Sequence, residues 1–258
     1  MTLTLAYAGY LEKVAASPEG AAIKRRAAEH LALRPGDSVI DVGCGPAVDT
    51  VPFASLVGPT GRVTGVDLDA EMVRKAERIA VERGVGGWVG HAVASAAPLA
   101  YPDGSFDAWH SERLLQHLPG KQPLAALREA YRVLRPGGRL VVVDTDWGTL
   151  SLATDTPVLE RRLVQTHLTR FANGYAGRTL PRLVRQAGLL RTAVESFAVT
   201  LSSTSVDYLL APTEQLALAH HVLTPLEWHV WRRGLADYRS TGEDFATVVM
   251  TLVAARRP

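Results

Sequence analysis

The residues most informative about chemistry are two glycines that follow an acidic residue at the end of an apolar segment. Asp41, Gly43 and Gly45 form the pattern Asp-x-Gly-x-Gly, and strand-to-helix loops of this kind lie at the ligand-binding edge of doubly wound sheets. Glycine there lets a ligand approach the backbone without a Cβ in the way. A dinucleotide fingerprint needs a third glycine where Val48 stands, and no Tyr-x-x-x-Lys pair occurs. The loop therefore favours a nucleoside ligand without a pyrophosphate, and a purely structural turn is the alternative.

A second acidic residue, Asp67, ends the next β-rich segment. A carboxylate at this place can accept hydrogen bonds from both hydroxyls of a ribose. The alternative is that Asp67 or Asp69 caps the helix that follows, and the two roles are compatible. Leu68 and Met72 would then offer apolar and thioether surface to an adenine ring, although ordinary core positions are an equal interpretation.

Three further motifs follow in order: Pro-Asp-Gly-Ser-Phe-Asp at 102–107, Leu-Gln-His-Leu at 115–118 and Arg-Pro-Gly-Gly at 135–138. With the glycine loop and Asp67, they resemble class I S-adenosylmethionine-dependent methyltransferases of the ubiquinone/menaquinone-type and small-molecule, natural-product group. The resemblance covers about 34–146 well and the remainder in outline. It implies an α/β fold with a Rossmann-like, seven-stranded, doubly wound sheet of order 3-2-1-4-5-7-6, its last strand antiparallel. It also implies S-adenosylmethionine as the methyl donor.

The sequence departs from this family at two places. Members usually carry Asp-Ala at the end of the third strand, where the carboxylate accepts a hydrogen bond from adenine, whereas this chain has Ser95-Ala96. A hydroxyl accepts such a bond without charge assistance, so the contact should be weaker. Ala47 replaces the third loop glycine. We nevertheless predict a cofactor site made of Asp41, Gly43, Gly45, Asp67, Leu68, Met72, Ser95, Ala96 and Ser111.

Candidate catalytic residues follow the fourth and fifth predicted strands. Methyl transfer requires that the acceptor be positioned and, where needed, deprotonated. His117 and Asp144 stand where some O-methyltransferases of similar sequence carry a base and its partner. The alternatives are that His117 packs or caps a helix and that Asp144 stabilises the end of the sheet. Ser111 and Glu112, where the fourth strand ends, are expected to line the donor site.

The elements that must position these residues alternate between β-rich and amphipathic segments, which is typical of a parallel sheet with crossover helices. A helix is predicted to begin near Pro46 and to kink at Pro52. We divide the chain into an N-terminal helical cap at 1–33 and a Rossmann-like domain at 34–258, with a helical lid at about 206–240. The predicted strands are 38–42, 62–66, 88–93, 106–110, 139–144, 194–201 and 245–254. Further helical segments are predicted at 156–188 and 206–237.

Composition excludes several classes of protein. The 258 residues carry a formal net charge of +2, which is too small to indicate a nucleic-acid or membrane-surface protein. One cysteine and no long apolar run lead us to expect a soluble, cytoplasmic protein without a membrane span. The segment 161–191 has seven arginines and no acidic residue, so it faces either solvent or an anionic substrate. The residues at 111–114 lack the Asn/Asp-Pro-Pro-Tyr/Phe motif of nucleic-acid amino methyltransferases, so we expect no nucleic-acid partner.

The predicted lid is rich in aromatic side chains that could line an acceptor pocket. Trp228 and Trp231 are expected mainly to pack the cap onto the core, and Tyr7 and Tyr10 to close over the cofactor. We predict no metal site, and the sequence does not indicate an oligomeric state. The leading interpretation is methyl transfer to a small, largely apolar metabolite. The alternatives are a methyltransferase-like protein that uses bound cofactor for cyclisation or binding, and, less favoured, an RNA methyltransferase.

Overall fold

A single seven-stranded sheet organises the chain. The computed structural model describes the backbone of residues 3–258 and the side chains from Gly9 onward. The strands are β1 (Ser38–Val42), β2 (Arg62–Asp67), β3 (Val89–Val93), β4 (Phe106–Glu112), β5 (Leu134–Leu152), β6 (Leu190–Thr200) and β7 (Ala246–Arg256).

Helices precede the sheet, connect its strands and separate its last two strands in the sequence. They are α1 (Leu3–Ala16), α2 (Pro18–Leu31), α3 (Thr50–Val57), α4 (Ala70–Glu82), α5 (Gln122–Val133), α6 (Pro157–Leu168), α7 (Ala176–Gln186), α8 (Ser203–Ala219) and α9 (Pro225–Thr241). A short 3-10 turn, Leu115–His117, follows β4. No helix in the described part of the chain is both long and apolar enough to cross a bilayer.

The strand order is β3-β2-β1-β4-β5-β7-β6, which confirms the predicted fold class. β1 pairs in parallel with β2 and β4, whereas β7 runs antiparallel to both β5 and β6. The order reverses between β1 and β4, and ligands of doubly wound sheets bind beyond the carboxyl ends of the strands at such a point. The fold therefore directs attention to the loops after β1 and β4.

Successive residues of the central strands serve opposite faces of the sheet. Val39 packs in one apolar cluster and Ile40 in the other, and both are fully buried. Val141 and Val142 alternate between the same two clusters on β5. Such strands are apolar without alternation because both faces are covered by other elements. The apolar run at 139–144 thus correctly indicated a central strand.

Two predictions about α3 were wrong. The helix begins at Thr50 rather than near Pro46, because residues 46–49 continue the loop after β1 as a turn. Pro52 is consequently the third residue of the helix, where a backbone N–H has no intrahelical acceptor in any case. It therefore has no hydrogen bond to break, and the expected kink has no cause.

The predicted helical segment 206–237 consists of two helices. The chain turns between Ala219 and Pro225, and the proline occupies the first position of α9. Thr224 and Glu227 form a capping box there, in which each side chain satisfies a backbone N–H of the other. The segment 156–188 is likewise divided into α6 and α7.

Candidate cofactor and acceptor site

A cleft of about 310 Å³ lies at the carboxyl ends of β1, β2 and β4. Its walls also include Leu11 of α1, together with Glu112, Arg113 and His117. Seven of the residues predicted to contact the cofactor line it: Gly43, Gly45, Asp67, Leu68, Met72, Ser95 and Ala96.

Asp67 links the glycine loop to the start of α4. One carboxylate oxygen accepts the backbone N–H of Gly45 at 2.9 Å, and the other accepts that of Asp69 at 2.9 Å. Each oxygen has a second lone pair, so the carboxylate can still accept ligand hydroxyls. Asp69 itself caps α4 by accepting the N–H groups of Glu71 and Met72, as the sequence suggested. The two acidic residues thus serve different purposes.

The loop after β1 adopts left-handed backbone geometry at three positions. Gly43 and Gly45 have φ of +78° and +51°, and a Cβ on Gly43 would lie 3.1 Å from the Leu114 side chain. Ala47, where family members carry a third glycine, has φ of +67°. Holding a non-glycine residue in this region costs about 1 kcal/mol. The chain therefore retains the conformation of the glycine loop although it has lost the third glycine.

The end of the cleft that was predicted to hold adenine is apolar and open. Leu68 is 76% exposed, which is unusual for a leucine beside a cleft and leaves apolar surface for a flat ring to cover. The Ser95 hydroxyl donates to the backbone oxygen of Ala97 at 3.1 Å. Its oxygen keeps acceptor capacity, but the hydroxyl proton is engaged within its own turn.

Two residues predicted to contact the cofactor lie behind the loop instead. The Asp41 carboxylate is 2.8 Å from Nδ1 of His110, and both side chains are buried. Ser111 is fully buried, and its hydroxyl has no hydrogen-bond partner among the described residues. Neither Asp41 nor Ser111 lines the cleft as the structure describes it.

Lys24 of α2 connects the glycine loop to the end of β4. Its ammonium is 2.8 Å from both carboxylate oxygens of Asp49 and 3.1 Å from Glu112. Burial alone would raise the pKa of Glu112, but the charges of Lys24 and Arg113 lower it to about 2. Asp49, Asp41 and His110 hold donor atoms within 4.8 Å of one another, but the ammonium already neutralises Asp49, so we assign no metal there.

A second cavity of about 280 Å³ adjoins the cleft. The two share Arg113 and His117. Its walls come from α1, the 3-10 turn after β4, β5, the turn after α6, α8 and the last two strands. The described lining residues are Tyr10, Val14, Arg113, Gln116, His117, Thr145, Trp147, Arg170, Phe171, Val199, Leu201, Tyr208, Leu209, Pro212, Val248 and Met250.

Two pairs of stacked aromatic rings line this second cavity. Trp147 and Phe171 stack at 4.9 Å with an interplanar angle of 16°. Tyr10 of α1 stacks on Tyr208 of α8 at 4.8 Å and 17°. Parallel rings with offset faces make a flat, apolar surface suited to an aromatic or polyene ligand. The Tyr7 side chain lies outside the described residues.

His117 is oriented by a chain of hydrogen bonds. The indole N–H of Trp147 donates to Oε1 of Gln116 at 2.8 Å, which fixes the amide so that its nitrogen faces His117 Nε2 at 3.1 Å. Since an amide nitrogen only donates, Nε2 accepts and the neutral imidazole carries its proton on Nδ1. Desolvation lowers the pKa of His117 despite the opposing charge of Asp67, so the neutral form dominates near pH 7.

Asp144 lines neither cavity in the described structure, since its carboxylate supports the turn that carries His117. One oxygen accepts the backbone N–H groups of Leu115 and Gln116 at 2.7 and 3.2 Å, and the other accepts that of Thr145 at 2.9 Å. Burial raises the pKa of this carboxyl to about 7, against the effect of the three N–H donors.

The remaining residues are the two tryptophans of α9 and the site residues that the sequence analysis did not name. Trp228 and Trp231 both donate to Glu214 of α8, so these bonds join the two helices of the predicted lid, and Trp231 is also buried in the core cluster. Sequence reasoning missed Lys24, Trp147, Arg170 and Phe171. Trp147 lies just after the predicted strand 139–144, and residues that follow a buried parallel strand commonly meet a ligand, so the sequence could have indicated it.

Comparison with known proteins agrees with this geometry. Residues 39–138 match a family model described as a methyltransferase domain. The chain is 35% identical to an uncharacterised 37.1 kDa protein in transposon TN4556 of Streptomyces fradiae, covering 96% of this chain and 70% of that protein. It is 39% identical over 121 residues to the ubiquinone/menaquinone biosynthesis C-methyltransferase UbiE of Hydrogenovibrio crunogenus. That match covers 47% of each protein, so the chain spans about half the length of this relative.

Solved structures share the fold at low sequence identity. The YcgJ protein of Bacillus subtilis superposes with a TM-score of 0.62 at 18% identity, over 91% of this chain and 97% of that one. The [4+2]-cyclase SpnF gives 0.58 at 24% identity, over 92% and 80%. Geranyl diphosphate C-methyltransferase of Streptomyces coelicolor A3(2) gives 0.58 at 18% identity, over 93% and 76%. From its glycine loop, its strand order and these relatives, the chain belongs to the class I S-adenosylmethionine-dependent methyltransferases.

Proposed function

We propose that this chain transfers a methyl group from S-adenosylmethionine to a small, largely apolar acceptor. The observation that carries the proposal is the shared wall of Arg113 and His117 between the polar-edged cleft and the aromatic cavity. A methyl transferase needs two adjoining sites of this kind, because the acceptor atom must reach the activated methyl group in line. S-adenosylmethionine, when bound, supplies that activated methyl group.

The residues of the cleft fit the cofactor. Asp67 would accept the ribose hydroxyls with its remaining lone pairs, and the exposed face of Leu68 would cover the adenine together with Met72. The left-handed loop from Gly43 to Gly45 leaves room for the methionine part against the backbone. Asp41 and Ser111 would act from behind this loop rather than by direct contact.

In the acceptor cavity, the stacked pair of Trp147 and Phe171 would hold a planar or extended apolar body. His117 presents Nδ1–H while Gln116 occupies Nε2, so we assign it the role of a hydrogen-bond donor that orients the acceptor. Asp144 is then a positioning residue, because it holds the turn that carries His117. Two similar proteins, by their names, methylate carbon atoms, which is compatible with a site without a free base.

Calorimetric titration with S-adenosylhomocysteine tests the cofactor half of the proposal. We expect the wild-type chain to bind it and Asp67→Asn to bind about 10-fold to 100-fold more weakly, the effect of losing charged hydrogen bonds. Asp237→Asn is the matched control, because Asp237 is an exposed residue whose nearest arginine nitrogen is 4.0 Å away. Failure of the wild-type chain to bind would refute the proposal.

Incubation with S-adenosylmethionine and a panel of aromatic and prenyl phenols, alcohols and acids tests the transfer itself. The expected result is S-adenosylhomocysteine and a product heavier by one methylene unit. The enclosed aromatic cavity also suits a second function, in which bound cofactor only shapes the site for a cyclisation. That function predicts an isomer of the substrate and no consumption of the donor.

A further inference from the structure

The acceptor cavity is electropositive as well as aromatic. Its described lining includes two arginines and one histidine but no carboxylate. Arg113 donates to Glu112 at 2.9 Å, so its charge is balanced from outside the cavity. Arg170, in contrast, has no counterion among the described residues that line the cavity.

Arg170 is fixed in place by neutral groups only. Its Nη1 donates to the backbone oxygen of Leu209 at 2.9 Å and to the Thr213 hydroxyl at 3.2 Å. No carboxylate among the described residues forms an ion pair with it, and burial lowers its pKa. Its Nε and Nη2 atoms have no hydrogen-bond partner in the described structure.

Three other arginines of the same stretch of chain differ in this respect, and Arg170 is the member of the stretch that lines the cavity. Arg161, Arg162 and Arg178 each pair with a carboxylate, at 2.6, 2.6 and 2.5 Å. Arg170 is exposed to solvent and pairs with no carboxylate of the described residues, so its charge and its remaining N–H groups are available to an anionic ligand. The guanidinium fork matches a carboxylate or phosphate in two parallel hydrogen bonds.

The position of Arg170 sets where such an anion would lie. Arg170 lines the acceptor cavity but not the cofactor cleft, whereas His117 lines both. The ring of Phe171 is adjacent in sequence and lies 5.9 Å from that of His117, on the surface shared with Trp147. A ligand in this cavity can therefore contact His117 on the side shared with the cleft and Arg170 where the cavity does not adjoin the cleft.

We propose that the acceptor is an apolar molecule bearing one anionic group, and that Arg170 binds this group at the end of the cavity away from the cofactor. This proposal rests on the proposed function only in that it identifies the ligand as the methyl acceptor. The recognition itself requires only the cavity. Arg170 is then a specificity-determining residue, and the anion fixes which end of the molecule faces the methyl donor.

The test compares matched anionic and neutral ligands by calorimetry at pH 7.5. The probes are 2-naphthoate against 2-naphthamide, and octanoate against octanamide. We expect the wild-type chain to bind the carboxylates about 10-fold or more tightly than the amides, as charged hydrogen bonds imply. Arg170→Gln should reduce the preference to about 3-fold or less, and Arg170→Lys should retain part of it.

Arg182→Gln is the control, because Arg182 is an exposed arginine on α7 and should leave the preference unchanged. Binding of S-adenosylhomocysteine, whose proposed cleft does not include Arg170, reports whether each variant is folded and whether the cofactor half of the proposed function holds. Equal binding of both members of each pair, or no binding of either, would overturn the inference. So would a preference that persists in a folded Arg170→Gln.

Discussion

Replacing Lys24 with methionine removes the cation between the glycine loop and the end of β4. The ammonium holds Asp49 and Glu112 at 2.8 and 3.1 Å, and the three side chains are only 18%, 12% and 9% exposed. Breaking a buried ion pair costs about 3–5 kcal/mol, since a carboxylate then stays buried without its partner. Glu112 keeps Arg113 at 2.9 Å, so Asp49 bears most of the loss. We therefore expect the free energy of unfolding to fall by about 3 kcal/mol.

Urea unfolding at pH 7 measures this loss, and the melting temperature should fall by about 6–12 °C in a chain of this length. Lys75→Met is the matched control, because Lys75 pairs with Glu12, whose side chain is 45% exposed, and such pairs contribute at most about 1 kcal/mol. Adding Asp49→Asn to Lys24→Met should recover part of the loss. Equal losses in the two single lysine variants would refute the reasoning.

Two other predictions follow from the same region. Asp144→Ala leaves buried N–H groups of Leu115 and Gln116 without an acceptor, so the free energy of unfolding should fall by about 2–4 kcal/mol. Unchanged stability together with a loss of methyl transfer would instead indicate that Asp144 acts directly in catalysis. Glu112 has a folded pKa of about 2, below its ordinary 4.5. Its charged form therefore stabilises the folded chain by up to about 3 kcal/mol above pH 4.5, and this stabilisation is lost as the pH falls towards 2. Urea unfolding should show the difference between wild type and Glu112→Gln shrinking from pH 7 to pH 3, and parallel pH profiles would contradict this.

The parts of the site that the sequence predicted are local in the chain. Gly43 and Gly45 lie in the loop after β1 and Asp67 ends β2, so the positions of the strands place all three at one edge of the sheet. Asp41 belongs to the same motif, but its side chain points to His110 of β4, which stands far away in sequence. A strand end defines where the backbone lies and not which neighbour a buried carboxylate contacts. The role of Asp41 therefore needed the structure.

The acceptor cavity was beyond sequence reasoning because no single segment builds it. Tyr10, Trp147, Arg170 and Tyr208 come from four separate segments and meet only when the sheet is assembled. The arginine-rich segment was predicted to be either solvated or anion-binding, and periodicity cannot tell which of its members faces inward. Pro52 was misread for a related reason, since its effect depends on where the helix begins.

The first helix, α1, lines both the cleft and the acceptor cavity, so it can couple the binding of the two ligands. Leu11 of α1 lines the cleft, while Tyr10 and Val14, on the same helix, line the acceptor cavity. A ligand in either space contacts this helix, so each ligand acts on an element that the other ligand also contacts. We expect the two affinities to be linked, and by thermodynamic reciprocity the factor is the same in both directions. Product and spent donor would accordingly change each other's affinity by that same factor.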